Sequence, residues 1–399
     1  MSAQKAPSRK RAPRAIELFA GAGGLGMGVA LSGFKTEAVV ERDPYCCDTI
    51  RENKSAKHPL IKSWKLLAKD VHKVDFLDYR DNVDLVSGGP PCQPFSLGGK
   101  HAAYRDSRDL WSEAVRATRE VRPKAFIFEN VKGLTRQAFA NYYEYIYLQL
   151  TYPPIKRKAD EEWSDHFARL EQHHTSKKAQ TGLHYRVVRR VLNSANFGVP
   201  QKRERVFFVG FRGDLGIEWH FPEKTHALDT LLWEKVVTGE YWERHRVPKK
   251  ERIVSARDEA RARLLPAPAD LKAWRTTRDA IEGLPEPTVK GSKEVFNHKL
   301  QEGARSYPGH TGSSLDLPAK TLKAGVHGVP GGENMIALPN GAVRYLTVRE
   351  SARLQTFPDD FRFHGSWTET MRQLGNAVPV ELAQVVASNV RAHLDGQRR

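Results

Sequence analysis

The 399-residue sequence predicts an α/β protein: a doubly wound, mostly parallel, Rossmann-like sheet interrupted by an inserted, smaller and irregular domain. Three observations predict it. Up to about residue 211, short apolar β-rich runs alternate with helical stretches, as in a parallel sheet joined by crossover helices. The first run leads straight into a glycine-rich turn. From about residue 212 the pattern dissolves into scattered Pro, Gly and Trp, and it becomes regular again from residue 345.

Residues 15–19 read as the first strand, followed by the Gly-rich turn and a helix to about Ser32. Residues 36–41 form the next strand, and Pro44 suits the first turn of the helix after it. Further strands are expected at 83–87, 125–129 and 205–211, each short and apolar as buried parallel strands are. After the prolines of the middle region (Pro266, Pro268, Pro285, Pro287, Pro318, Pro330), residues 347–357 read as a helix capped by Thr347 with Glu350 three positions on. Residues 380–394 read as a closing helix. The expected organisation is a basic tail (1–14), a catalytic and cofactor-binding part (15–211), an inserted domain (212–343) and a C-terminal part completing the first domain (344–399). The stretch 141–183 is longer than such a plan requires.

With 40% hydrophobic and 28% charged residues the composition is that of a globular protein. It contains no apolar run long enough for a membrane span and no secretory leader pattern. Three cysteines with no CxxC pair argue against a disulfide framework and a zinc site, and for a reducing compartment. A cytoplasmic, nucleoid-associated protein without a metal is the expectation. The net charge of +17 and pI near 9.7 favour a polyanionic partner, although a basic surface kept for solubility reads the same way. Residues 212–343 hold 20 Lys and Arg against 18 Asp and Glu, so the excess lies in the flanking parts, including the acid-free tail.

Four segments carry chemistry. Gly21-Ala22-Gly23-Gly24-Leu25-Gly26 lies between a strand and a helix, and Glu41 closes the next strand. Glycines admit a close-lying ligand and a strand-end acid takes ribose hydroxyls, so a nucleotide-like cofactor is expected. Ser87-Gly88-Gly89-Pro90-Pro91-Cys92-Gln93-Pro94-Phe95-Ser96 follows a strand, at the sheet edge where such folds bind ligands. Its prolines stiffen the loop and forbid a helix, so Cys92 is displayed as a nucleophile rather than packed as a core residue. An apolar strand runs into Glu129, which raises its pKa and lets it hold a proton near neutrality. Gln201-Lys202-Arg203-Glu204-Arg205 sets alternate arginines on one face of a strand, where they hold a phosphate, a base carbonyl or the Glu129 carboxylate; a solvated basic edge is the alternative.

In this order the segments resemble the cytosine-C5 DNA methyltransferases of prokaryotic type II restriction-modification systems. The similarity covers residues 15–26, 88–96, 129–131, 201–205, 344–361 and 373–379, ending in Gln373-Leu374-Gly375-Asn376-Ala377-Val378-Pro379. It implies an S-adenosylmethionine-dependent methyltransferase fold, and methyl transfer to C5 of a flipped-out cytosine in a short duplex DNA sequence through a covalent Cys92–C6 adduct. Glu129 would bond N3 and the exocyclic amine, with Arg205 and Arg203 at the base O2. The donor pocket would include Phe19, Gly21, Gly23, Gly24, Leu25, Glu41, Asp70, Pro91, Leu110, Asn376 and Val378. DNA contacts are expected from Gln93, Ser96, Lys100, Arg105 and Thr321, with target recognition in residues 212–343. The resemblance further implies a monomer acting on double-stranded DNA beside a separate restriction endonuclease. The rival readings are an RNA (transfer RNA) cytosine-C5 methyltransferase on the same scaffold, a catalytically silent DNA-binding relative, and a nicotinamide-dependent oxidoreductase, which the glycine motif alone suggests and nothing else in the chain supports.

Overall fold

The computed structural model describes residues 11–91, 110–267, 270–308, 311–324 and 334–396. Its centre is a seven-stranded sheet of order β3-β2-β1-β4-β5-β7-β6. Strands β1 (Arg14–Leu18), β2 (Lys35–Glu41), β3 (Leu66–Ala68), β4 (Leu85–Gly88) and β5 (Ala125–Val131) pair in parallel. Strand β7 (Glu204–Arg212) runs antiparallel to β5, and edge strand β6 (Tyr185–Asn193) antiparallel to β7. The expected doubly wound plan is therefore present, with one reversed strand inside it. Strands β3 and β6 were not anticipated: β3 has three residues, and β6 carries three arginines on the edge of the sheet. Charges are tolerated there because one flank of the strand faces solvent.

Alternation along each strand sorts the side chains between two helical layers. Ile16, Val86, Phe126, Phe128, Val206 and Phe208 face α3 (Trp111–Val121), α4 (Ala140–Thr151) and α5 (Trp163–His174). Ala15, Leu85, Ala125, Ile127, Phe207 and Val209 face α1 (Gly24–Leu31) and the C-terminal helix. Helix α2 (Pro44–Ser55) starts at Pro44 as expected, with Asp43 capping it by accepting the Cys46 N–H. The unexplained stretch 141–183 is partly core, since α4 buries Tyr142, Tyr145, Ile146, Leu148 and Leu150.

Beyond β7, residues 217–221 still pack on the second layer through Ile217, Trp219 and Phe221. A satellite core of Leu231, Tyr241, Trp242, Val247 and Trp274 then gathers the short helices α6 (Leu228–Trp233) and α7 (Glu240–Arg244). Helix α8 (Ala256–Leu264) packs on α6, and α9 (Thr277–Ile281) packs instead on the helix that follows residue 347. Two small sheets complete this region: β8 (His226–Ala227) with β9 (Lys272–Ala273), and β10 (Ser313–Ser314), β11 (Met335–Ala337) and β12 (Val343–Tyr345). Asp316 pins the segment after β10, taking Arg278 Nε at 2.7 Å and the Tyr241 hydroxyl at 2.8 Å.

The chain then returns to the first layer system. Helix α10 (Val348–Leu354) has the expected capping box between Thr347 and Glu350. Helix α11 (Trp367–Asn376) ends in the Gly375-Asn376 turn, and α12 (Val380–Gly396) lies on α1. No helix among the described residues is long and apolar enough to cross a membrane.

The interior tolerates little added volume. A methyl group at Gly210 would sit 2.3 Å from the Phe126 ring, which is itself fully buried. Gly210→Ala is expected to destabilise the protein by about 1–3 kcal/mol through overpacking; urea unfolding checks this.

Candidate active site

Parallel strands end together, so the acidic and glycine-rich termini of β1, β2, β4 and β5 open on one cavity of about 500 Å³, a size suited to a small ligand. Phe19, Gly21, Gly24 and Leu25 form one wall, and Glu41 closes β2 beside them. The Glu41 carboxylate organises this wall. One oxygen accepts the Gly21 N–H at 2.7 Å, and the other accepts those of Arg42 and Asp43 at 2.7 and 2.8 Å. The chain can turn here because Phe19, Gly21 and Gly23 adopt left-handed φ values of 55°, 55° and 91°.

The far wall comes from the C-terminal segment. Gln373, Asn376, Ala377 and Val378 line the cavity. A Cβ on Gly24 would lie 2.3 Å from the Val378 carbonyl oxygen, so glycine is required for this segment to close the pocket. Gly23 has a different duty from the one expected. It does not line the cavity; the Trp64 ring lies 2.9 Å from where its Cβ would be, so Gly23 admits a buried indole. Asp70 departs too. Lys69 and Val71 reach the cavity, whereas the Asp70 carboxylate caps a short 3₁₀ turn, taking the His72 N–H and ring and the Arg42 guanidinium. These partners, the hydrogen bonds from His72 foremost, hold its pKa down at about 2.

Glu129 stands where β5 opens into the cavity and is 6% exposed. Val131 opposes Arg205 in the β5–β7 ladder and Glu129 opposes Phe207, so Glu129 and Arg205 are diagonal neighbours on one face. Arg205 Nε lies 2.8 Å from Glu129 Oε1, an ion pair without the alignment of a good hydrogen bond. Burial raises the Glu129 pKa, and the positive charges of Arg205 and Arg203 oppose that rise. The direction is the one expected from the sequence.

Arg203 does not join them in the cavity. It is fully buried, and its guanidinium donates to the Leu322 carbonyl at 3.1 Å and the Gly375 carbonyl at 2.6 Å. The expected pair of base-holding arginines is thus one arginine at the cavity and one inside the scaffold, because strand alternation fixes the face and not the depth. Thr321 is likewise engaged, donating its hydroxyl to the Lys202 carbonyl at 2.7 Å.

Cys92, Gln93, Ser96, Lys100 and Arg105 lie outside the described residues. The two stems of that segment are nonetheless fixed. The Asn130 side chain donates to the Pro90 carbonyl at 2.9 Å, and the Leu110 N–H reaches the Pro91 carbonyl at 3.5 Å. Pro91 and Leu110 both line the cavity as expected. Cys92 therefore directly follows a wall residue.

Sequence reasoning missed Asn130, adjacent to Glu129, and the cavity residue Glu17. Glu17 directly opposes Ser87 in the β1–β4 ladder and accepts its hydroxyl hydrogen bond beneath the glycine turn. Burial pushes its pKa up to about 8, against the lowering effect of hydrogen bonds from Ser87 and Gly26. A charged residue alternating with apolar ones in β1 was the available signal. Among the described residues no group of three or more His, Cys, Asp or Glu side chains is placed to hold a metal ion.

Known proteins bear on this arrangement. The family model for C-5 cytosine-specific DNA methylases matches residues 14–152 and 166–392, breaking only between α4 and the early part of α5. The type II methyltransferase M.Eco47II of Escherichia coli is 32% identical over 388 residues, spanning 95% of this chain and 79% of its own. M.NgoMIV of Neisseria gonorrhoeae is 28% identical across 94% of this chain and 96% of its own. Among solved structures, a putative DNA modification methyltransferase encoded in an E. coli prophage superposes with TM-score 0.58 at 19% identity, covering 96% of this chain and 99% of that one. S. pombe Dnmt2 methyltransferase gives 0.56 at 15% identity, covering 98% and 100%. At these identities the two structures support the fold alone.

Glu17 generates a pH prediction. The unfolded chain releases this proton near the ordinary carboxylate value of 4.5, whereas the folded chain holds it to about 8. Stability is therefore greatest below the lower value and falls as pH rises towards the upper one. Glu17→Gln should abolish this fall, which amounts to at most about 1.4 kcal/mol per pH unit between roughly pH 5 and 8. Thermal unfolding of both proteins across that range, without ligand, checks it.

Proposed function

The chain belongs to the C-5 cytosine-specific DNA methylase family, and from that membership we propose that its cavity methylates a cytosine held between Cys92 and Glu129. It is a DNA (cytosine-5-)-methyltransferase related to type II restriction-modification methyltransferases. The observation that carries the assignment of roles is the Glu129–Arg205 pair, set in the wall of a cavity whose other wall is a glycine cradle.

Enzymes of this family use S-adenosylmethionine. The residues present fit it: Gly21 leaves open space for a close-lying ligand, Gly24 lines the same cavity, and Glu41 stands at the end of β2, where ribose hydroxyls are taken. When bound, S-adenosylmethionine supplies an electrophilic methyl group. Phe19, Leu25, Pro91, Leu110, Asn376 and Val378 would enclose it and exclude water.

Cytosine C5 is a weak nucleophile, and Cys92 corrects this. Its thiolate forms a bond to C6, the C5–C6 π pair becomes available at C5, and C5 takes the methyl group as the methyl–sulfur bond breaks and its pair stays on the departing thioether sulfur. Transfer of the C5 proton to solvent water then returns the C5–H pair to the ring and expels Cys92 as thiolate. The negative charge that the addition places on the ring needs a proton donor at N3. Glu129 would supply the proton: burial raises its pKa against the opposing charges of Arg205 and Arg203, which favours the proton-holding form that this step requires. Arg205 orients that carboxyl with Nε and donates Nη1 to the Glu204 carbonyl, leaving Nη2 for the base O2. A cytosine inside a duplex is out of reach, so it must be flipped out.

The remaining proposals concern recognition and context. Residues 212–343 would read the DNA sequence, Gln93, Ser96, Lys100 and Arg105 would contact the DNA around the flipped base, and the basic tail would add phosphate contacts. The protein would act as a monomer in the cytoplasm, beside a separate restriction endonuclease.

Expression in a methylation-deficient host and mapping of 5-methylcytosine on plasmid DNA tests the assignment. Methylation at one short motif is expected, with none from Cys92→Ser. Glu129→Gln should slow a single turnover by about 10²–10⁴-fold while donor affinity is retained. Unmethylated plasmid together with methylated transfer RNA would overturn the DNA reading.

A further inference from the structure

Arg203 is a buried cation that the reaction does not use. Its surroundings are made of backbone from two remote parts of the chain. Nη1 donates to the Leu322 carbonyl at 3.1 Å, and Nη2 donates to the Gly375 carbonyl at 2.6 Å. Leu322 belongs to the segment that Asp316 anchors to α9 and the satellite core. Gly375 immediately precedes Asn376, Ala377 and Val378, which form a wall of the cavity.

The contact is close on every side. A Cβ on Gly375 would lie 2.4 Å from Ala324 N and 2.5 Å from Lys323 C, so the two segments touch backbone to backbone. Gln201, two positions before Arg203, accepts the Leu322 N–H at 3.0 Å, so both backbone polar groups of Leu322 are held from the segment that leads into β7. Lys202 donates its N–H to the Ala319 carbonyl at 2.8 Å and accepts the Thr321 hydroxyl. Two positions further on, Arg205 reaches Glu129. A planar guanidinium cannot follow one of two carbonyls without turning away from the other. Displacement of Leu322 therefore acts on Gly375, and displacement of Gly375 acts on Leu322.

We propose that Arg203 is a positioning residue that couples DNA engagement by residues 212–343 to donor binding in the cavity. The proposal rests on the functional reading above and goes beyond it. DNA that orders the 319–322 segment also fixes Gly375 and the Asn376 wall, so the nucleotide ligand binds more tightly in its presence. Linkage requires the reverse effect of equal size.

The test is the affinity of wild type for S-adenosylhomocysteine, by calorimetry, with and without saturating unmethylated plasmid DNA. The ratio of the two dissociation constants is expected to lie in the range of about 5–150-fold. In Arg203→Lys, which keeps the charge but cannot serve both carbonyls in this geometry, the ratio should fall towards one. In Arg205→Lys it should persist while turnover is lost. A role confined to stability would lower the unfolding temperature and weaken both affinities at a constant ratio, and that result overturns the proposal. So does a wild-type ratio of one. If Arg203→Lys does not fold, Thr321→Val loosens the same clasp from a half-buried position, and an undiminished ratio there is equally fatal. Methylation of the plasmid by the same wild-type preparation separates the two levels. Its absence would sink the functional reading, whereas its presence with an unchanged ratio in the variant would sink the coupling alone.

Discussion

Helices α1 and α12 come together so closely that only glycine fits between them, and the site depends on that contact. A Cβ at Gly28 would lie 2.4 Å from the Ala383 methyl and 2.7 Å from the Val380 carbonyl oxygen, and one at Gly24 would lie 2.3 Å from the Val378 carbonyl oxygen. Residues more than 350 positions apart thus meet without intervening side chains. The first strand–turn–helix supplies one wall of the cavity and the end of the chain supplies the other. The inserted region must leave and return without disturbing this closure. Its buried side chains divide between a small core around Tyr241 and Trp242 and the core that Ala22 and Met27 share with Ala280, Leu315, Leu322 and Ile336.

Burial of charge is the second organising constraint. Glu129, Arg203 and Arg205 are removed from water together, and an unpaired buried charge costs several kcal/mol. The three are compensated differently. Glu129 and Arg205 meet as an ion pair, while Arg203 is satisfied by two carbonyls and keeps an unpartnered Nε. Carbonyl dipoles leave its positive charge in place, and that charge works against the rise in the Glu129 pKa. The site therefore holds its carboxyl between two demands, protonation favoured by burial and ionisation favoured by the arginines. That balance is what the proton transfer proposed for Glu129 would require.

The short 3₁₀ turn at Asp70 and the buried Trp64 show how local sequence and tertiary role diverge. Asp70 closes the Lys69-Asp70 pair ahead of Val71, a setting that suits an adenine contact and an N-cap equally; Arg42 and His72 engage its carboxylate in the second role. Gly23 reads as part of a ligand cradle until Trp64, 41 positions later, occupies the space beside it. Thr321 reads as a DNA contact until the Lys202 carbonyl is found within its reach. At Gly23 and Thr321 the difference arises from a partner distant in sequence; at Asp70 the turn to His72 is local and Arg42 adds to it.

The sequence by itself determined five of the seven strands of the sheet, the glycine turn, the strand-end acids Glu41 and Glu129, the capping box at Thr347 and the family, because each depends on residues within one short segment or on their order along the chain. It also determined which face each strand residue takes, because pleating alternates side chains whatever the sheet packs against. Only the tertiary structure decided that Arg205 meets Glu129 while Arg203 turns inward, that Glu17 is buried beneath the glycine turn with its pKa raised, and that Val378 closes over Gly24. Those outcomes depend on the depth of a side chain below the sheet edge and on backbone arriving from remote segments. Depth and arrival are properties of the packed chain, since desolvation and close contact exist only once the layers have come together.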